Sequence, residues 1–284
     1  MHLQRKWHLF FAIWLFACGE LHAQTSLGIE PLLSDQRATE VEVEDEIETD
    51  RDSFTPATTT AGKGRWITEA AYSFIDNRTV PETHSYPELL LRRGVSEWLE
   101  LRLGWNYETG GAGSPISANV PSDLREGSEL ERESRIFYGA KALLAEQCGW
   151  RPERSVLVQG FTPTSGESTE TQLSATYIFG WELKEGVLWD SAIRYSTSSL
   201  EEDHFNVWAP STVLKVPVGE RWKAHVEYFG IFSDGRQEES SQHFFSPGAH
   251  YLLTPNLEIG LRLGWGLNHQ SPHFFSNTGF GWRY

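Results

Sequence analysis

The sequence predicts an all-β protein, namely a transmembrane antiparallel up-and-down β-barrel of about 12 strands. Three observations carry this prediction: long segments in which apolar and polar residues alternate, connections that alternate between short and long, and aromatic residues near the segment ends. Successive side chains of a strand point to opposite faces, so each alternating segment has one apolar and one polar face. Alternating segments of about ten residues are typical of strands that cross an outer membrane.

Two segments that contain the same short sequence show the alternation most clearly. The sequence LRLGW occurs at Leu101–Trp105 and again at Leu261–Trp265. Around the first copy, apolar residues occupy the odd positions from Leu99 to Tyr107, and polar residues or glycine occupy the even positions. The odd positions of 257–267 are apolar in the same way. Both segments therefore predict strands with one face toward lipid.

Twelve alternating segments follow one another after the first 64 residues. They are expected near residues 65–76, 84–93, 98–109, 133–145, 154–163, 171–183, 186–197, 204–216, 221–233, 243–254, 256–267 and 273–284. Short connections follow the even-numbered segments and longer ones follow the odd-numbered segments, the longest being Thr109–Arg132. A bacterial outer-membrane barrel has an even number of strands, short periplasmic turns and longer outer loops. Thr109–Arg132 either folds inward as a constriction or extends outward.

Tryptophans near the segment ends lie where the aromatic girdles of an outer-membrane barrel belong. They are Trp66, Trp98, Trp105, Trp181, Trp189, Trp222, Trp265 and Trp282. The alternating C-terminal segment Phe280–Tyr284 predicts a closing strand that the barrel-assembly machinery recognises. A soluble β-sandwich or lipocalin-like barrel would also have alternating strands. The segment length and the aromatic content of 13% favour the membrane barrel.

The first residues predict a secretory signal peptide over 1–23. Arg5 and Lys6 precede the apolar stretch Trp7–Ala17, and the small residue Ala23 marks the expected cleavage site. This stretch is too short for a helix that spans a membrane. Lipid attachment at Cys18 is the alternative. Either way, the sequence predicts export to the cell outer membrane.

Residues 24–64 form an acidic region ahead of the predicted barrel over 65–284. Acidic residues dominate between Glu30 and Asp52, and large apolar residues are few. Two interpretations are open: a flexible periplasmic leader, or a plug that folds into the lumen with Arg51 paired to inward acids. The net charge of −15 argues against a nucleic-acid partner, because nucleic-acid binding requires a basic face.

Charged residues on the polar parity are the candidate lumen-lining residues. They are Glu69, Glu88, Arg92, Glu100, Arg102, Lys141, Asp190, Arg194, Lys223, His225, Glu227, Glu258 and Arg262. One interpretation is a pore or binding chamber whose charges set selectivity. The other is that these residues pair with one another and fill the lumen.

No catalytic residue, metal ligand or cofactor is expected. A barrel hydrolase is considered because His225 and Glu227 share a face and Ser73 and Ser196 point inward, but no Gly-x-Ser-x-Gly motif is present. Cys148 is the sole cysteine after the signal peptide, and no cysteine–histidine spacing suits zinc. The histidines at positions 204, 243, 250, 269 and 273 are expected at strand ends and in loops.

Four motifs carry a resemblance to a known family. They are Glu48–Phe54 (ETDRDSF), Gly64–Tyr72 (GRWITEAAY), Glu88–Arg92 (ELLLR) and Leu99–Gly104 (LELRLG). The chain resembles, over residues 48–284, a family of Gram-negative outer-membrane proteins labelled as transporters of the "putative MetA pathway of phenol degradation". The resemblance implies a β-barrel and passage of small hydrophobic or aromatic compounds. It brings no set of substrate-binding residues.

Together these observations predict a non-enzymatic outer-membrane channel for passive passage of small hydrophobic or aromatic solutes. Its expected partners are outer-membrane lipid, the small-molecule solute and the barrel-assembly machinery. The alternative is a closed outer-membrane barrel with a structural or surface-binding role.

Overall fold

The computed structural model of the protein describes residues 46–111, 116–117, 131–166, 170–200, 203–236 and 238–284. The predicted signal peptide, Cys18 and residues 24–45 of the acidic region lie outside the described residues.

The structure is a closed antiparallel barrel of twelve strands. The strands are β1 (Trp66–Asp76), β2 (Thr83–Ser96), β3 (Leu99–Gly110), β4 (Glu131–Ala145), β5 (Glu153–Ser165), β6 (Gln172–Lys184), β7 (Val187–Leu200), β8 (Asp203–Pro217), β9 (Trp222–Asp234), β10 (Ser241–Thr254), β11 (Leu257–Gly266) and β12 (Phe274–Arg283). Each strand pairs with its neighbours in sequence, which confirms the predicted up-and-down topology. The C-terminal ends of β2 and β7 lie three residues beyond the expected positions, and the other ends lie within two residues.

The first and last strands close the barrel. Their register runs from Ile67 opposite Arg283 to Asp76 opposite Phe274. Next to this ladder, the backbone N–H groups of Trp66 and Tyr284 each donate to the other residue's carbonyl at 2.9 Å. Closure satisfies the backbone groups of both edge strands, as a strand surrounded by lipid requires.

The connections differ in length at the two ends of the barrel. Those at the end where β1 begins are 97–98, 146–152, 185–186, 218–221 and 255–256. Those at the opposite end are 77–82, 111–130, 166–171, 201–202, 235–240 and 267–273. We term the first end periplasmic and the second end outer, following the usual order of turn lengths. Two connections depart from the predicted alternation. The connection 146–152 at the periplasmic end has seven residues, and 201–202 at the outer end is short because the β7–β8 ladder continues to Leu200 opposite Asp203.

The outer face of the barrel is apolar. On β3, Leu101 and Leu103 are each 50% exposed, whereas Arg102 between them is buried. Exposed large apolar residues on the other strands include Leu173, Tyr177, Ile193, Val226, Leu261 and Phe280. This alternation of apolar outward and polar inward residues is the pattern of a lipid-facing barrel.

Among the described residues, no helix is long and apolar enough to cross a membrane.

Candidate functional site

The segment before the first strand lies inside the barrel. At the periplasmic end, the backbone N–H of Ile47 donates to the carbonyl of Pro255 at 2.8 Å. The chain reverses near Phe54, and the N–H of Gly64 donates to the carbonyl of Gly94 at 2.9 Å where the segment returns to the wall. We call residues 46–64 the plug segment.

Asp50 is the centre of a buried ion-pair cluster between the plug segment and the wall. Its Oδ2 accepts hydrogen bonds from Arg102 Nη1 at 2.5 Å and Lys141 Nζ at 2.7 Å, and its Oδ1 accepts the N–H of Ala57 at 3.0 Å. Burial alone would raise the pKa of Asp50. The positive charges of Arg92, Lys141 and Arg102 outweigh burial and hold this pKa well below its ordinary value.

Carboxylates of the wall accept the backbone N–H groups of the plug segment. Glu69 accepts the N–H of Arg51 at 2.9 Å, and Glu100 accepts the N–H of Ala61 at 2.7 Å. Arg92 lies between these two carboxylates, at 3.0 Å from Glu69 and 2.9 Å from Glu100. The wall therefore supplies the acceptors that a buried, non-helical backbone requires.

A second cluster surrounds Asp52. Its Oδ2 lies 3.2 Å from Lys215 Nζ and 3.7 Å from His250 Nε2. His250 Nε2 is also 2.7 Å from His225 Nδ1. Burial opposes ionisation of Asp52, but the positive charge of Lys215 outweighs burial and lowers the pKa of Asp52 far below its ordinary value.

One group in this cluster has the ligand types of a cation site. Asp52, His250 and Glu258 each place a ligand atom within 4.8 Å of the others. However, Lys215 lies 3.2 Å from Asp52, and Arg51 lies 3.9 Å from Glu258. Because these side chains already neutralise the two carboxylates, we assign the group as an ion-pair cluster.

Glu227 on β9 binds the tip of the plug segment. Its Oε2 accepts the N–H of Phe54 at 3.0 Å, and its Oε1 accepts the N–H of Thr55 at 2.7 Å and the Thr55 hydroxyl at 2.8 Å. Arg262 Nη1 donates to Glu227 Oε2 at 3.1 Å. Four hydrogen bonds thus converge on one buried carboxylate.

The side chain of Phe54 enters an apolar cluster in the outer half of the lumen. Its ring stacks on that of Phe229, with centroids 4.3 Å apart and an interplanar angle of 5°. The guanidinium of Arg194 lies 4.7 Å from the centroid of the Phe54 ring. The cluster consists of Phe54, Ile75, Ile116, Phe205, Val207, Ala209, Phe229, Ile231, Phe244 and Phe275.

Glycines in the wall leave space for the plug segment. A Cβ atom at Gly94 would overlap the carbonyl oxygen of Gly62, and one at Gly281 would overlap the methyl group of Thr49. The absence of side chains at these two wall positions therefore lets the plug backbone approach the sheet closely.

Part of the connection between β3 and β4 also reaches the lumen. The carbonyl of Ile116 accepts a hydrogen bond from Arg262, and that of Ser117 accepts one from Arg194 at 3.5 Å. Both residues are buried. Of the two interpretations of Thr109–Arg132, these two residues match the inward one, and most of the connection lies outside the described residues.

The remaining candidate lining residues also lie on the inner face. Glu88 accepts a hydrogen bond from Asn277 at 3.4 Å, and Asp190 is buried. Lys223 lies near the periplasmic end, where it pairs with Glu46 at 2.7 Å. That the charges of the candidate lining residues set the selectivity of a pore stays a prediction.

Sequence reasoning missed three parts of the site. His250 was expected at a strand end or in a loop, but it lies within β10 and is buried, because Pro247 and Gly248 obscure the alternation of that strand. Lys215 was missed although its parity on β8 is inward. The inward phenylalanines were missed because an inner face was expected to be polar.

Neither Ser73 nor Ser196, the inward serines considered for a hydrolase, pairs with His225 in the described part of the chain. His225 Nδ1 lies 2.7 Å from His250 Nε2, and the hydroxyl of Ser73 accepts a hydrogen bond from Asn277 at 2.8 Å. The Ser196 hydroxyl is buried without a hydrogen-bond partner in the part of the chain that is described.

A closed twelve-stranded barrel with an apolar outer face and a polar inner face belongs to the class of outer-membrane β-barrels. The chain is similar to an outer membrane channel from Pseudomonas putida F1, with a TM-score of 0.57 and 12% identity over 84% of this chain and 100% of that one. It is also similar to the NanC porin, with a TM-score of 0.50 and 10% identity over 76% of this chain and 98% of that one. The translocator domain of the autotransporter NalP from Neisseria meningitidis matches with a TM-score of 0.50 and 10% identity, over 78% of this chain and 88% of that one.

The family model described as "Putative MetA-pathway of phenol degradation" matches residues 49–284, and the chain belongs to that family. This confirms the resemblance found in the sequence. The structural similarities, at 10–12% identity, concern the fold. A search of the curated proteins found no relative.

Proposed function

We propose that the protein is an outer-membrane channel for small hydrophobic or aromatic solutes and that the plug segment closes it. The observation that carries this proposal is the plug segment inside the lumen of a barrel that has a cavity of about 300 Å³ at each end. One cavity opens at the outer end and is lined by residues that include Gln172, Ser198 and Phe205. The other opens at the periplasmic end and is lined by residues that include Glu48 and Ala61.

The contacts of the plug segment indicate that passage requires it to move. Arg92, Lys141 and Glu100 of the wall are fully buried, and all three contact the plug segment. Withdrawal of the plug segment would expose these charges to water in a pore, where charged side chains set selectivity.

Two observations support hydrophobic or aromatic solutes. The outer half of the lumen holds the apolar cluster around Phe229 and Phe244, whose rings stack at 4.5 Å. The family is described by a pathway of phenol degradation, and one similar structure is an outer membrane channel. In this proposal the signal peptide directs export, lipid surrounds the barrel, and the barrel-assembly machinery recognises β12.

Single-channel conductance in a planar bilayer tests the proposal. We expect the refolded full-length protein to be closed for most of the recording and the protein without residues 24–60 to conduct steadily. The deletion ends before β1 and leaves every strand intact. A truncated protein that shows heat-modifiable barrel migration on a gel but no conductance would contradict the channel.

That outcome would favour a closed barrel with a structural or surface-binding role. This alternative is supported by the charged side chains that pair with one another inside the lumen. Arg92 and Glu100, for example, are fully buried and joined by two hydrogen bonds.

A further inference from the structure

We propose that the outer half of the lumen contains a binding site for single-ring aromatic compounds that carry a hydrogen-bond donor, and that Phe54 fills this site as an internal ligand. The inference rests on the proposed function, because it specifies the solute class and the means by which the plug segment excludes it.

The ring of Phe54 lies in a flat slot with two different walls. The Phe229 ring lies parallel to the Phe54 ring, with centroids 4.3 Å apart. The guanidinium of Arg194, on β7, lies 4.7 Å from the centroid of the Phe54 ring. Aromatic rings gain from parallel offset contact with another ring, and an electron-rich ring gains further from a cation over its face. A saturated ring of the same size cannot make the second interaction.

A polar position adjoins the slot. Glu227 accepts the N–H groups of Phe54 and Thr55 and the hydroxyl of Thr55, while Arg262 binds one oxygen of the same carboxylate. If the tip of the plug segment withdraws, Glu227 loses three donors and keeps the one from Arg262. Unpaired acceptors in a buried position are costly, so a ligand with its own O–H or N–H donor is favoured there.

The apolar cluster around the slot extends to the outer end of the barrel. Phe205 lines the cavity of about 300 Å³ at that end. The same residue belongs to the apolar cluster that contains Phe54 and Phe229. A solute that enters from outside therefore meets the cluster before it meets the buried charges around Asp50.

Phe54 must leave the slot before a ligand can bind. The apparent affinity of the unaltered protein for the ligand is therefore the affinity of the vacant slot multiplied by the fraction of molecules in which the slot is vacant. The variant Phe54→Ala removes the internal ring and keeps the backbone N–H groups that bind Glu227, so it tests the ring slot separately from the polar position. Phenol is the probe, because it has an electron-rich ring and one O–H donor. Cyclohexanol is its control, because it has the donor without the ring.

We expect the full-length Phe54→Ala protein in detergent micelles to bind phenol at least about tenfold more tightly than the unaltered protein, measured by calorimetric titration. We also expect it to prefer phenol over cyclohexanol and to lose most of that preference in the double variant Phe54→Ala/Arg194→Met. Ile47→Ala is the matched control. It truncates another fully buried residue of the plug segment, in a separate apolar cluster near Leu252, and should bind phenol like the unaltered protein.

Three results would overturn the inference: a heat-modifiable, folded Phe54→Ala protein that binds no phenol, equal binding of phenol and cyclohexanol, or an equal gain in Ile47→Ala. Binding in micelles does not depend on conductance. Steady conductance of the truncated protein together with absent phenol binding would therefore overturn the site and leave the channel. Phenol binding with a silent truncated protein would overturn the channel and support the site.

Discussion

The ammonium group of Lys141 on β4 lies 2.7 Å from Oδ2 of Asp50 on the plug segment, and both side chains are fully buried. Arg102 reaches the same oxygen from β3. Three charged groups that are distant in sequence thus meet in the lumen, and this contact joins the plug segment to the wall.

Replacing Asp50 by alanine should release the plug segment. It leaves two buried cations without their shared partner, and loss of one member of a buried ion pair costs about 3–5 kcal/mol. Hydrogen exchange measures the release of the plug segment. The amide groups of Arg51, Phe54 and Thr55 are the reporters, because each donates a hydrogen bond to a carboxylate of the wall. We expect their protection to fall sharply in Asp50→Ala.

The control for this variant is Glu46→Ala at the periplasmic end. Glu46 pairs with Lys223 at 2.7 Å, but their side chains are 46% and 29% exposed. An exposed pair contributes about 0–1 kcal/mol, so protection should change little. Equal loss in both variants would contradict a special role for Asp50.

Acid should open the channel. The pKa values of Asp50 and Asp52 lie below their ordinary values in the docked state, so the undocked segment binds more protons at low pH. Their contribution to docking is therefore complete above the ordinary aspartate pKa of about 4 and is lost as the pH falls below it. Conductance should stay low between about pH 7 and 5 and rise below about pH 4.

The double variant Asp50→Asn/Asp52→Asn lacks both titrating groups. It should conduct more than the unaltered protein at neutral pH and respond less to acid. Opening of the unaltered protein as the pH rises from 5 to 7 would contradict the assignment.

An arginine in place of Leu103 should impair insertion. Leu103 is 50% exposed on the apolar face, and an arginine near the bilayer midplane of a barrel costs about 2–4 kcal/mol. Trp98 lies on the same face at the periplasmic end, where Trp98→Arg should cost about 0–1 kcal/mol. Urea titration of folding into lipid vesicles measures the free-energy cost of each variant. Equal costs for Leu103→Arg and Trp98→Arg would mean that the assigned depth of Leu103 in the bilayer is wrong.

Gly94→Ala should disturb the point where the plug segment returns to the wall. The added methyl group would overlap the carbonyl of Gly62, and such overpacking costs about 1–3 kcal/mol. Its neighbour Val95 points outward at 48% exposure, so Val95→Ala is a control that leaves this contact intact. We expect faster exchange of the Ala61 amide, which Glu100 accepts, only in Gly94→Ala.

Much of the fold follows from local sequence patterns. The alternation around Leu101–Trp105 predicts β3 to within one residue, because the two-residue period of a strand depends only on neighbouring positions. The same period predicts which residues point inward, including Arg92 and Glu227. Where the period is interrupted, as at Pro247–Gly248, the prediction for His250 was wrong.

By itself, the sequence determined the strands, their order and the apolar outer face of this protein, because these depend on residues that are adjacent in the chain or in the next hairpin. The tertiary structure alone decided that residues 46–64 lie in the lumen, that Asp50 meets Lys141, and that Phe54 lies between Phe229 and Arg194. A strand pattern specifies which face a side chain occupies. Which side chains approach within 3–4 Å across the lumen depends on barrel closure, which brings together strands that are far apart in sequence.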